Sequence, residues 1–333
     1  MTTTRVQPDK QAMEHAFRVV NAISQAFAGK VVGQDYLRES LLIGLLTGGH
    51  ILLEGVPGLA KTTAARVVAD SIAGGFRRIQ CTPDLLPSDI IGTQIYDSST
   101  NSFATQLGPV HTNIVLLDEV NRSSAKTQSA MLEAMEERQT TIAGHVYPIP
   151  DPFLVIATQN PVDQEGTYPL SEAQTDRFML KEVLRYPLPD DEVEVISRID
   201  AGVYDRNEKP TAVVTLEQIV QLQRIVGNVY MDPALIRYAS QLVHATRNPL
   251  QSLPQQLGRL VQYGASPRAT IAFCKAARAL AVLSARNHVI PDDIRNLAHR
   301  VLRHRLILGF EAANVKITAE MVIDAVLQSV RVP

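Results

Sequence analysis

Apolar residues recur every three or four positions from Gln11 to Gly29, at Met13, Phe17, Val20, Ile23 and Phe27. That spacing predicts one face of an amphipathic helix. A second helix is expected over Asp35 to Leu46, and then the pattern shortens to brief apolar runs. These are Ile51-Leu52-Leu53, Ile114-Val115-Leu116-Leu117 and Phe153-Leu154-Val155-Ile156-Ala157. Short apolar runs with branched side chains read as strands buried on both faces, as in a parallel sheet. Helix-like stretches alternate with them as far as about Tyr186, which predicts an α/β sandwich with ligands at the carboxyl ends of the strands.

Two inserts interrupt the alternation. Ile95-Tyr96 and Phe103-Ala104 flank a turn-rich stretch from Asp97 to Ser102, and Thr141-Ile142 and Val146-Tyr147 flank Ala143-Gly144-His145. Both read as hairpins. Beyond Pro187-Leu188-Pro189, an acidic and helical link is expected over Asp190 to Asn207, broken at Lys209-Pro210. Helix starts follow: Thr215 with Gln218 as a capping box, Asp232-Pro233, Ser266-Pro267, and Thr318 before a last periodic run. No strand is expected after about residue 213, so the last part reads as an all-helical lid. The expected division is 1–190, a linker over 191–214, and 215–333.

The first strand runs into Gly55-Val56-Pro57-Gly58-Leu59-Ala60-Lys61-Thr62, with Thr63 next and a helix expected from Thr62 to Ile72. Strand, glycine loop, Lys-Thr and helix are the arrangement that wraps backbone N–H groups around phosphates. The second run ends in Asp118-Glu119. Paired carboxylates are costly inside a buried strand but useful at its tip. There Asp118 would share Mg²⁺ with the Thr62 hydroxyl, and Glu119 would polarise the attacking water. The third run ends in Thr158-Gln159-Asn160-Pro161, putting an amide at another strand tip, where it could hold that water or simply form an Asn-Pro turn. Arg177, in Asp176-Arg177-Phe178, and Arg268, in the helix start Ser266-Pro267-Arg268, are candidate anion-binding cations. A cation beside a positive helix N-terminus suggests an anion nearby.

The chain has 333 residues, enough for two domains, with 45% hydrophobic and 20% charged residues. A formal charge of −2 argues against gripping nucleic acid by bulk electrostatics. The basic cluster Arg300, Arg303, His304 and Arg305 is therefore expected to be a solvated face or a subunit contact. Cys81 and Cys274 lie far apart, and the histidines show no zinc-ligand spacing. No apolar stretch reaches transmembrane length and the polar start lacks a signal-peptide core, so a cytoplasmic protein with free thiols is expected.

These motifs together resemble a MoxR-type AAA+ ATPase, in the branch that also holds magnesium-chelatase motor subunits and MCM helicases. The resemblance rests on the Gly55-to-Thr62 loop with Ala before the lysine, on Thr82 to Ile90, and on Leu117-Asp118-Glu119-Val120-Asn121-Arg122. It continues through Leu132 to Gln139, Ala157 to Pro161, Glu165-Gly166-Thr167-Tyr168-Pro169-Leu170 and Asp176-Arg177-Phe178. It implies a P-loop NTPase αβα sandwich with a C-terminal all-helical AAA+ lid domain. It also implies ATP and Mg²⁺ as cofactors, with Asn160 as sensor 1, Arg268 as sensor 2 reaching toward the nucleotide, and Arg177 as the finger acting on a neighbouring subunit. Val32-Gly33-Gln34 would pack near adenine, and the two hairpins would be the helix-2 insert and the pre-sensor-1 hairpin, facing a client. The implied protein is a homo-oligomer, a hexameric ring, that hydrolyses ATP to remodel a client protein or to load metals or cofactors, with a von Willebrand factor A-type partner. A nucleotide-gated binding module with slow hydrolysis, or a DNA-dependent motor like the MCM helicases, are the alternatives.

Overall fold

The computed structural model describes residues 7–161, 167–204 and 212–333. The first six residues, Glu165-Gly166 of the family-like run, and the expected break at Lys209-Pro210 lie outside them.

Helix α1 (Lys10–Ala28) is capped by Asp9, whose carboxylate accepts the Ala12 N–H at 2.7 Å. Its packed face is Met13, Ala16, Val19, Val20, Ile23 and Phe27, so the expected Phe17 falls outside the stripe and is exposed. Helix α2 (Asp35–Thr47) is buried almost all round, because it lies between the sheet and the lid. Strand β1 (Ile51–Glu54), helix α3 (Lys61–Ser71), strand β2 (Phe76–Gln80) and the short helix α4 (Pro87–Ile91) follow. The first predicted hairpin is β3 (Gly92–Asp97) against β4 (Ser102–Leu107). Then come β5 (Ile114–Asp118) and α5 (Ala125–Glu137), and the second hairpin is β6 (Gln139–Ile142) against β7 (His145–Pro148). Strand β8 (Leu154–Gln159), helix α6 (Glu172–Thr175) and strand β9 (Leu180–Val183) complete the α/β part.

Five strands form one parallel sheet in the order β2-β5-β8-β1-β9. Alternate residues of each buried strand enter opposite layers. Ile114 and Leu116 join Ile51, Leu53, Leu154 and Ile156 on the α2–α3 side. Val115 and Leu117 join Leu52, Val155 and Ala157 on the α5 side. This is why the strands read as unbroken apolar runs.

The link begins as helix α7 (Pro189–Asp200), which buries no residue. The lid contains α8 (Leu216–Asn228), α9 (Pro233–Arg247), the single turns α10 (Pro249–Ser252) and α11 (Gln255–Gly258), and β10 (Val261–Tyr263). It continues with α12 (Pro267–Leu283), α13 (Pro291–Leu302), β11 (Ile307–Leu308), α14 (Glu311–Asn314) and α15 (Ala319–Ser329). Helical throughout by expectation, it in fact carries one antiparallel ladder, Val261 with Leu308 and Tyr263 with Ile307. Pairs this short carry too little periodicity to register in sequence. Lid and α/β part share one continuous apolar layer, from Phe27 and Leu41 to Phe273 and Leu297.

The late basic cluster also departs from expectation. Arg300 is buried against Glu39 at 2.6 Å, and Arg305 donates to Asp176 at 2.7 Å and to the carbonyl of Phe178 at 2.6 Å. Arg303 lies 3.4 Å from Glu320, and His304 meets the Phe178 carbonyl at 3.0 Å. Arg303 also donates to the Lys181 carbonyl at 3.3 Å, so these four side chains join the lid to the α/β part within one chain and form neither a solvated face nor a nucleic-acid patch.

Candidate nucleotide site

The C-terminal edge of the sheet gathers the three strand tips. Strand β1 ends at Glu54, in register with Gln159, so Asn160 sits one residue beyond the tip beside Gly55. The loop needs conformations that L side chains resist: Gly58 has φ +88° and Ala60 φ 55°. A Cβ on Gly55 would come within 3.0 Å of the Leu184 Cβ and 3.2 Å of Leu59 Cδ1, so any larger residue there would have to press those two side chains aside. The Lys61 amine donates to the Gly55 carbonyl at 2.6 Å. Burial lowers its pKa, while Asp118 and Glu119 act in the opposite direction. The loop is thus a cluster of N–H groups with a cation at its base and paired carboxylates opposite.

Those carboxylates are held by residues that sequence reasoning missed. The buried Thr158 hydroxyl donates to Asp118 Oδ1 at 2.7 Å and accepts the Glu119 N–H at 2.9 Å. Gln80 donates to Glu119 Oε2 at 3.1 Å, and Arg122 Nε lies 3.2 Å from the same oxygen. Glu119 itself has φ 57°, a left-handed turn that swings its side chain off the strand end. Arg78 supplies a full positive charge to Asp118 Oδ2. A guanidinium standing on that oxygen marks the place as one that accepts a cation, and the Thr62 hydroxyl lies on the first turn of α3. The residues present therefore fit a magnesium–nucleotide complex. Elsewhere, among the described residues, no cluster of three His, Cys, Asp or Glu could hold a metal.

A cavity of about 830 Å³ opens beside the loop at the C-terminal end of β9. Gly33, Gln34, Tyr36, Leu184 and Tyr186 line it, and Gln34 donates to the Arg185 carbonyl at 3.4 Å. This volume and mixed lining suit a nucleoside. The lid faces it through Arg295 and His299 of α13, not through the start of α12.

Arg177 and Arg268 meet each other at the opposite edge. Arg177 precedes β9, and Met179 donates to the carbonyl of His50, which precedes β1. Glu136, near the end of α5, has one oxygen 2.9 Å from Arg177 Nε, an ion pair without hydrogen-bond alignment, and accepts a hydrogen bond from Arg268 on the other. From Gly49 to Gly55 the chain advances six residues, roughly 20 Å along the strand direction. Neither guanidinium can span that to its own loop. Arg268, expected to reach toward the nucleotide, is not brought to the phosphate loop of its own chain; the lid docks so that the start of α12 faces Asp176, with Ser266 donating to it at 2.7 Å.

This fold and edge-to-edge layout define an ATPase of the AAA type. The family model described as "ATPase family associated with various cellular activities (AAA)" matches residues 50–180, and the AAA lid domain model matches residues 258–326. The chain is 48% identical to the chaperone MoxR1 of Mycobacterium tuberculosis over 91% of its own length and 79% of that protein. It is 44% identical to the uncharacterized protein YeaC of Bacillus subtilis, covering 97% and 94% of the two chains. A crystal structure of a candidate ATPase from Cytophaga hutchinsonii superposes with a TM-score of 0.90 at 42% identity, over 97% of each chain. The chain belongs to the MoxR family of AAA+ ATPases. Among the described residues no helix is long and apolar enough to cross a membrane.

Proposed function

We propose that this chain is an ATP hydrolase that assembles into a ring, hexameric by analogy with its class, and couples hydrolysis to chaperone-like remodelling, or metal or cofactor loading, of client proteins. What carries the reading is the split layout: phosphate loop and carboxylates on one edge of the sheet, paired arginines on the other. A head-to-tail contact between copies brings the two edges together, and such contacts close into rings.

In this reading Lys61 and the N–H groups from Gly55 to Thr63 hold the β- and γ-phosphates, and Val32, Gly33 and Gln34 border the adenine. Thr62 and Asp118 would hold Mg²⁺, which neutralises charge on the phosphate oxygens when bound. Glu119, turned off the strand by its left-handed backbone and held by Gln80, takes the proton of the attacking water. Asn160 orients that water. Arg177 and Arg268 of the adjacent copy meet the terminal phosphate; a finger of this kind is worth ~10³–10⁵ in rate. A cytoplasmic setting and a von Willebrand factor A-type partner belong to the same proposal, as does a unit division near residues 190 and 215.

The test is hydrolysis measured against protein concentration. Turnover per chain should rise steeply with assembly, and Arg177→Ala mixed with Glu119→Gln should recover hydrolysis that neither variant has alone. If the mixture stays inactive while both variants still assemble, the cross-copy reading is wrong.

A further inference from the structure

We infer that Glu136 is a stand-in anion: it holds Arg177 and Arg268 together while the chain is unassembled and yields them to the terminal phosphate of a neighbouring copy. The inference rests on the proposed cross-copy role of the two arginines.

The two guanidiniums come from different parts of the molecule, one just before β9 and one in the first turn of α12. Brought to one point they repel, and a shared carboxylate is what lets them converge. Glu136 gives one oxygen to each. The neighbouring cations are already engaged: Arg305 with Asp176 at 2.7 Å, and Arg138 with Asp151 at 3.6 Å and the carbonyls of Gly48 and Phe153. Glu136 is the one acidic partner of Arg177 and Arg268 among the described residues, so a single negative charge serves two positive ones. The three side chains line a cavity of about 320 Å³ that also receives Lys275. That is an anion site with surplus positive charge, filled by the protein's own carboxylate.

Burial decides whether the carboxylate can be displaced. The Glu136 side chain is 40% exposed and its partners 33% and 42%, so solvent screens the pairing and little is lost by exchange. A terminal phosphate offers three oxygens and more charge, and guanidiniums bind phosphate in strong charge-assisted geometry. Glu136 is thus a positioning residue that competes with the incoming nucleotide.

Hydrolysis against protein concentration tests this with Glu136→Gln, which keeps the shape and removes the charge, and with Glu136→Ala as a second variant. Both should reach half-maximal turnover at about three- to tenfold lower protein concentration than the parent. The Tm should be nearly unchanged, and turnover at saturating protein should stay within about twofold. A half-maximal concentration equal to or above the parent's, or a fall in saturating turnover alone, makes Glu136 a structural residue and overturns the inference. The Arg177→Ala and Glu119→Gln mixture, run in parallel, separates the two failures. Recovery there with no shift at Glu136 sinks the stand-in alone, whereas no recovery takes the cross-copy reading and this inference down together.

Discussion

The guanidinium of Arg78 closes on the carboxylate of Asp118, with Nε and Nη2 both donating to Oδ2, at 3.0 and 2.5 Å. Arg78 lies on β2 and Asp118 at the end of β5, neighbouring strands in register from Phe76 with Ile114 to Gln80 with Asp118. The arginine is half-exposed while the aspartate side chain is 14% exposed, so the cation matters more to the acid than the reverse. Removing it leaves a poorly solvated carboxylate supported by Thr158 and the nearby Lys61. Arg78→Ala should destabilise the metal-free chain by about 1 kcal/mol, the upper range for a partly exposed pair. With magnesium and ATP the gap in Tm should close, because another cation takes the oxygen. A gap that is the same with and without magnesium–ATP would show that Arg78 and the metal do not share the site.

Thr158 is the more sensitive position. Its hydroxyl gives one hydrogen bond to Asp118 and takes one from the Glu119 backbone, inside a fully buried strand. Thr158→Val is nearly isosteric but strands a partly buried N–H, at about 1 kcal/mol, the low end for such a loss. Hydrolysis should fall at least about tenfold, because both carboxylates lose their common anchor. Thr158→Ser, which restores the hydroxyl, should recover most of it. Equal turnover in the Val and Ser variants would exclude this anchoring role.

The sequence made the edge carrying the phosphate loop legible because its signals are local. Glycine placement, Lys61-Thr62 and Asp118-Glu119 are contiguous motifs, and unbroken apolar runs name the strands beneath them. The supports at that edge were not legible. Thr158, Gln80 and Arg78 act across strands, and which tips become neighbours depends on the order β2-β5-β8, which no local pattern encodes. Arg268 shows the same limit at larger scale. Its cap, Ser266, was plain in sequence, but the edge it faces depends on how the lid docks. Buried pairs such as Arg300 with Glu39 set that docking, and they join residues hundreds of positions apart. Composition read those arginines as surface charge because Arg is seldom buried without a partner, and the partner is invisible in one dimension.

Acid should weaken the fold through two buried histidines. His50 Nδ1 accepts the Val155 N–H at 3.0 Å, so Nε2 carries the hydrogen and donates to the Met135 carbonyl at 3.1 Å. Burial, helped by nearby Arg138, pulls its pKa from 6.5 to about 3. Burial lowers the pKa of His304 in the same direction. Between those limits the unfolded chain binds the proton and the folded chain does not. The stability these groups support is therefore complete above about pH 6.5 and lost as pH falls. From pH 7.5 to 5.0, His50 alone accounts for about 2 kcal/mol, at 1.36 kcal/mol per unit below 6.5. Urea unfolding should show His50→Gln losing less stability than the parent over that interval. Matching losses in the two proteins would remove His50 from the acid response.

The hairpins give the last prediction. Tyr96 and Phe103 pack edge to face across β3 and β4, centroids 5.4 Å apart, yet 51% and 67% of their surfaces remain exposed. The second hairpin is tied to the first where the Tyr147 hydroxyl meets Thr105 Oγ1 at 2.9 Å, and to the loop that follows the first where His111 Nε2 meets Thr140 Oγ1 at 2.9 Å. The two inserts therefore form one mechanical unit attached beside α4 and α5, presenting aromatic side chains outward. An exposed aromatic pair on a braced support suits contact with an unfolded or loosely held client chain. Neither aromatic touches the strand tips at the carboxylates, so Phe103→Ser should leave basal hydrolysis unaltered. Deleting Asp97 to Asn101 should do the same. Both changes, placed in the Glu119→Gln form loaded with ATP, should reduce the proteins captured from a cell extract of its own source to the level of an ATP-free control. Capture that survives both changes would place the client elsewhere on the ring and leave the hairpins as structural inserts.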